Sequence, residues 1–290
     1  MSKIKELVNL YEKSLRDANK SINTIIAYTK DIEQFLEFCE NVRNKKLNDI
    51  TNEDVQAYVD HYTNKGYTLK SIYRKLNAVK NFFKFAIENN YANSIPQMKI
   101  KSPKAYAEMP RVLTPEEYNR LRDLAKRDIR IYTMVELLLQ TGMRVGELCR
   151  IELDDIIYQG DRPIQIRIKK YESTPERIVP LNDVASNTLK EYLTIRPKYY
   201  NNPALFLTKS GNPVMKRNVR FYLERLFKKA NIKNATVNDL RNTFIAHHLA
   251  RGASISFIAT VVGHKRISTT ERFANLIGIN KPRNEKLESL

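Results

Sequence analysis

A break in the hydrophobic pattern sets the first constraint on how this chain can fold. Between Ile95-Pro96 and Met109-Pro110 run three prolines and several lysines with no apolar period. Proline fixes φ and removes a backbone donor, so the stretch continues neither a helix nor a central strand and reads as an extended linker. On both sides of it, apolar residues recur at helical spacing. The chain therefore divides into residues 1–98, a linker at 99–112 and residues 113–290, with enough length in total for two modest cores.

In the first part, Ser21 and Thr24 precede a stripe of Ile25, Ile26, Tyr28, Ile32, Phe35, Leu36 and Cys39. Thr51 and Asp54 form a capping box ahead of a short helix running to Tyr62. Beyond Gly66, the segment from Thr68 to Asn89 sets Ile72, Leu76, Val79, Phe82, Phe83 and Ala86 on one face. Lys70, Arg74, Lys75, Lys80 and Lys84 fall between them. These five cations are either a solvated face or the electrostatic footprint of a duplex-binding surface, and the pattern alone leaves both readings open.

The second part opens on Thr114-Pro115-Glu116-Glu117, with threonine at the N-cap, proline at the first helical position and glutamate at the third. Helical periods follow at about 127–141 and 144–151, then at about 184–195 behind an Asn182 cap, and at about 216–230, 239–251, 254–262 and 267–276. Ile164–Ile168 and Arg177–Leu181 alternate instead and predict a small antiparallel hairpin. The expected fold is mainly α, two helical domains with one small antiparallel sheet in the second.

Charge narrows the partner. Fifty Lys and Arg against 32 Asp and Glu leave +18 and a pI near 9.7, spread over both parts, which favours a polyanion through long-range attraction and counterion release. No apolar run approaches the ~20 residues that span a bilayer, and the first residues lack a signal-peptide core. Cys39 and Cys149 each fall inside a helical pattern and read as reduced thiols of a cytoplasmic protein. His61, His247, His248 and His264 show no metal-ligand spacing, and no phosphate-cradling glycine motif occurs, so neither a metal nor another cofactor is expected.

Three motifs carry chemistry: Thr141-Gly142-Met143-Arg144-Val145-Gly146-Glu147-Leu148, Asn238-Asp239-Leu240-Arg241, and Gly263-His264 followed nine residues later by Phe273. Together they resemble the tyrosine site-specific recombinases, the phage integrase and Xer-like family. That chemistry explains the residue types. Cutting a phosphodiester without metal gathers charge on two non-bridging oxygens, which guanidinium forks meet bidentately. The leaving sugar oxygen needs a proton donor, and a side-chain nucleophile stores the bond energy for rejoining.

The resemblance implies a SAM-like helical core-binding domain followed by a helical catalytic domain. It assigns Arg144 and Arg241 to the phosphate, Glu147 to the support of Arg144, and His264 to a non-bridging oxygen. The general acid falls on the hairpin turn at Lys170, with Lys169 as the alternative. Asn238 stands where the family carries a histidine, and asparagine cannot exchange a proton near neutral pH. Phe273 stands where the family has its nucleophilic tyrosine, and no tyrosine follows it. DNA binding without cleavage is the expectation. The favoured origin of the phenylalanine is a substitution made to trap a DNA complex, with a natural pseudoenzyme the alternative. Further implied are double-stranded recombination sites clamped in a C, a synaptic homotetramer, and docking of Leu276–Leu290 on a neighbouring protomer. Chromosome-dimer resolution, phage integration and transposon resolution share this skeleton. The rival reading is a non-catalytic DNA-binding or architectural protein of the same fold.

Overall fold

The structure is a computed structural model that describes residues 3–96, 110–171, 174–198 and 202–278. It divides into two compact units, one ending at Glu108 and the other starting at Met109. Most of the expected linker, and the tail beyond Gly278, lie outside the described residues. Among the described residues no helix is long and apolar enough to cross a membrane.

The first unit is a bundle of four helices, α1 (Lys3–Asp17), α2 (Ile22–Asn41), α3 (Asn52–Asn64) and α4 (Leu69–Glu88). α2 and α4 start on an N-cap side chain, and α3 on a capping box closed by Asp54. Ser21 Oγ accepts from the Thr24 amide, Thr68 Oγ1 from the Ser71 amide, and Asp54 Oδ2 from the Thr51 amide at 2.9 Å. The stripes read from the sequence meet in an aromatic core. Phe35 lies edge-on to Tyr58 with ring centroids 5.1 Å apart, and Phe82 and Phe83 are buried beside them. Burial of each such ring stabilises the bundle by ~1.5–3 kcal/mol.

The basic stripe of α4 needs one correction. Lys70, Arg74, Lys80 and Lys84 are exposed and fall within an arc of about 120° at the helical 100° per residue. Lys75 is not part of that face. It is 3% exposed, its ammonium pairs with Asp31 at 3.1 Å and bonds Gln34, and it sits 4.6 Å from the centre of the Tyr62 ring. Its position in the helix points it at α2 and α3, and a buried ammonium persists there because its charge and donors are met.

The second unit is built from α5 (Pro115–Ala125), α6 (Ile129–Thr141), α7 (Val145–Leu148), β1 (Ile156–Gln159), β2 (Arg162–Ile168), β3 (Arg177–Pro180), α8 (Asp183–Ile195), α9 (Lys216–Lys229), α10 (Val237–Ala250), α11 (Ile255–Val262) and α12 (Ser268–Leu276). The expected hairpin is the β2–β3 pair, with Ile166 opposite Val179 and Ile168 opposite Arg177. The sheet has a third strand, β1, antiparallel to β2. β1 is short and only Ile156 of it is buried, so it carries no alternation to find in the sequence. The helix expected over 144–151 stops at Leu148. The Leu153 amide bonds Pro203 O and the Ile151 carbonyl accepts from Leu205, so this backbone is committed to a neighbouring loop and cannot extend the helix.

Candidate active site

Two helix ends build the floor of the site. α6 and α11 both finish on a glycine in the left-handed region, Gly142 at φ 61° and Gly263 at φ 69°. Neither could carry a side chain, since a Cβ on Gly142 would lie 2.5 Å from the Phe244 ring and one on Gly263 2.8 Å from Thr174. The carbonyls of these two glycines receive the two expected arginines. Arg241 Nη1 donates to Gly142 O at 2.7 Å, and Arg144 Nη2 donates to Gly263 O at 3.3 Å.

Glu147 organises the cluster. It is 2% exposed and accepts four hydrogen bonds. Two come from Arg144, through its amide (2.8 Å) and Nη1 (3.2 Å). The other two come from Arg177, through Nη1 (3.0 Å) and Nη2 (2.8 Å). Those four bonds occupy about all the lone-pair sites of a carboxylate. Burial by itself would raise the Glu147 carboxyl. The hydrogen bonds and charge of Arg177, followed by those of Arg144, bring it below the usual range, so it is ionised. Arg177 also donates from Nε to Val261 O at 2.7 Å, which ties β3 to the end of α11. In the sequence Arg177 marks only the start of a strand, and no motif points to its place beside Glu147. The available signal is a hairpin arm that begins with an arginine, in a chain whose Glu147 needs a cation if the fold buries it.

Three guanidinium groups thus surround one carboxylate, and Arg241 receives the excess. Its residue is 8% exposed, and its Nη2 is buried without a hydrogen-bond partner among the described residues. Burial, and then repulsion from Arg144, push it down to about 9, which leaves it charged at neutral pH. His264 follows Gly263 directly and is held through Nδ1 to Thr270 Oγ1 at 2.8 Å. Burial pushes His264 down to about 4, with Arg241, Arg144 and Arg177 adding to the shift. Near neutral pH it is an uncharged ring facing positive charge, suited to hydrogen bonding and unsuited to storing a proton.

Other expected residues are placed less tightly. Asn238 is exposed in the first turn of α10, one turn before Arg241. Phe273 is 5% exposed in α12, one turn beyond the Thr270 that holds His264, and belongs to the apolar core of this unit. The two hairpin lysines differ. Lys169 pairs with Glu152, and with Asp155 at 3.4 Å. Lys170 is exposed and makes no ion pair among the described residues. It lines a cleft of about 320 Å³ with Glu147, Arg150, Glu152 and Tyr171. Lys70, Arg74, Lys80 and Lys84 belong to the other unit.

Comparison with known proteins gives this geometry a family. The Phage integrase family matches residues 111–277, and the phage integrase N-terminal SAM-like domain matches residues 8–90. The chain belongs to the phage integrase family of tyrosine recombinases. Tyrosine recombinase XerC of Roseiflexus castenholzii is 31% identical over 93% of this chain and 89% of its own length. Tyrosine recombinase XerD of Staphylococcus saprophyticus is 34% identical over 88% of each chain. Among solved structures, a tyrosine-to-phenylalanine variant of the Tn1549 transposon integrase, in complex with transposon right end DNA, covers 92% of this chain and 94% of its own. It superposes with a TM-score of 0.73 at 20% identity, a likeness of fold.

Proposed function

We propose that this tyrosine recombinase binds duplex recombination sites, presents one phosphate of each to Arg144, Arg241 and His264, and holds it without cutting. The observation that carries this reading is Arg241. A buried guanidinium with one nitrogen unpartnered, repelled by its two neighbours, is unstable by itself and is relieved by an anion of phosphate geometry. Arg144 is 37% exposed on its side chain and supplies the second fork. Neutral His264 donates to a non-bridging oxygen from its remaining ring nitrogen, and Lys170 is the group that would protonate the departing 5′-oxygen once a nucleophile stands at position 273. Asn238 hydrogen-bonds the phosphate without moving a proton. Phe273 occupies the nucleophile's position and has no oxygen with which to attack. That a phenylalanine variant of the Tn1549 integrase forms a DNA complex accords with this reading.

In the proposed assembly, four copies hold two sites, and the segment beyond Leu276 reaches a neighbouring protomer. A second reading, a purely architectural DNA-binding protein, draws on Phe273 and Asn238. Arg241 opposes it, since a protein that only grips duplex has no use for a buried cation whose neighbours leave it short of negative charge and one donor unpartnered. Restoring the hydroxyl decides between them. Phe273→Tyr is expected to form a covalent protein–DNA adduct on a suicide substrate carrying the correct site, and the parent chain none. An adduct on the parent chain means the nucleophile lies elsewhere, and none on either favours the architectural reading.

A further inference from the structure

The turn that carries Lys170 is held from both sides. Tyr171 and Thr174 exchange backbone hydrogen bonds at 3.1 and 2.9 Å and so close the turn between β2 and β3. Thr174 is buried, and its Oγ1 accepts from Arg144 Nη1 at 3.1 Å. The Tyr171 ring, next to Lys170, packs against two cations. The Arg150 guanidinium carbon and the Lys216 ammonium are each 4.6 Å from its centre. The same ammonium donates to the Tyr171 hydroxyl.

Gly146 explains the fit. A Cβ there would come within 2.9 Å of both Tyr171 Cε1 and Lys216 Cε. The ring and the lysine stem therefore rest directly on the backbone of α7, between Arg144 and Glu147. The Lys170 side chain has no anchor of its own among the described residues, so its reach is set by where the backbone places its Cα. Tyr171 is its anchored neighbour. A general acid must come within hydrogen-bond reach of its oxygen, and a misplacement of ~1 Å can cost on the order of 10²-fold in rate.

We propose that Tyr171, clamped by Lys216 and Arg150 onto Gly146, is a positioning residue that fixes Lys170 relative to the arginines holding the phosphate. This rests on the reading of Lys170 as the general acid. It also gives α9 a part in the chemistry: its first residue, Lys216, braces the turn from outside the phosphate cluster.

The test separates loss of the acid from loss of structure. Cleavage is measured at saturating protein in the Phe273→Tyr background on two substrates, one with the natural 5′-bridging oxygen and one with sulfur in its place. Sulfur departs without needing a proton. Tyr171→Leu and Lys216→Met should each slow the oxygen substrate by about 10- to 10²-fold, within the range general acid catalysis supplies. Both should return to within a few-fold of the parent rate on sulfur, as should Lys170→Ala, whereas Arg144→Ala should stay slow on both. Equal losses on the two substrates would make Tyr171 merely structural, and an undiminished oxygen rate would remove it altogether. If Tyr171→Leu does not fold, Lys216→Met decides alone. A Phe273→Tyr chain that forms no adduct, or a Lys170→Ala variant not rescued by sulfur, overturns the functional reading and this inference with it. Rescue at Lys170 but not at Tyr171 or Lys216 overturns this inference alone.

Discussion

Three basic residues are buried among the described residues, and they fall into two kinds. Lys75 in the first unit has Asp31, Gln34 and the faces of Tyr62 and Tyr67 around its ammonium. Arg196 in the second unit spends its guanidinium on the carbonyls of Leu205, Pro197, Asn202 and Ala204. Arg241 has one carbonyl, two like-charged neighbours, a buried nitrogen without a partner among the described residues, and only the charge of Glu147, whose hydrogen bonds go to Arg144 and Arg177, in its favour. Burial is common to all three, so burial does not mark function. The difference lies in compensation: the donors of Lys75 and Arg196 have partners, and one guanidinium nitrogen of Arg241 has none among the described residues.

The comparison predicts opposite responses to removing charge. In the Phe273→Tyr background, Arg241→Ala should lower single-turnover cleavage by on the order of 10²–10³-fold, with a much smaller change in DNA affinity, because the lost donor acts on charge that develops in the transition state. Arg241→Met should leave thermal stability unchanged or raise it, since burial and two like charges outweigh the single favourable charge of Glu147, and exchanging such a cation for apolar volume is commonly neutral or stabilising. A melting temperature well below that of the parent would place Arg241 with the structural cations.

At Lys75 the response should be structural only. Asp31→Ala removes the carboxylate that holds both Lys75 and Arg74 and strands a buried ammonium. It should cost about 3 kcal/mol of unfolding free energy in a denaturant titration. Adding Lys75→Met should recover part of that loss, because the stranded charge goes with it. A double variant no more stable than Asp31→Ala would mean that the cost came from packing.

How much of this was legible in the sequence follows the range of the forces involved. Helices were legible because caps and apolar period are local, as Ser21, Thr114 and Asn182 show. The end of α7 was not, because the partners that stop it, Pro203 and Leu205, lie some fifty residues away. Arg144, Glu147, Arg241 and His264 could be nominated from short motifs. Their convergence through Arg177 depends on the strand register that sets Arg177 opposite Ile168. Lys75 was misread for a related reason: spacing gives its angle on α4, and only the packed bundle shows that α2 offers an aspartate at that angle.

The smallest expected effect separates the exposed cations of α4 from the buried one. If Lys80 and Lys84 meet phosphates, each releases counterions, so Lys80→Ala and Lys84→Ala should each reduce the slope of log affinity against log salt by about 0.9. The affinity change at one salt concentration should be uniform across DNA sequences, because a phosphate contact carries no base information. Lys75→Met should leave the slope at the parent value, since its ammonium is already neutralised by Asp31 and turned away from solvent. Measuring the three variants over a range of salt on specific and unrelated duplexes tests both halves at once. A reduced slope for Lys75→Met would mean that the first unit opens around DNA and releases this lysine. Unchanged slopes for Lys80→Ala and Lys84→Ala would return the stripe to the solvated face that its spacing equally allows.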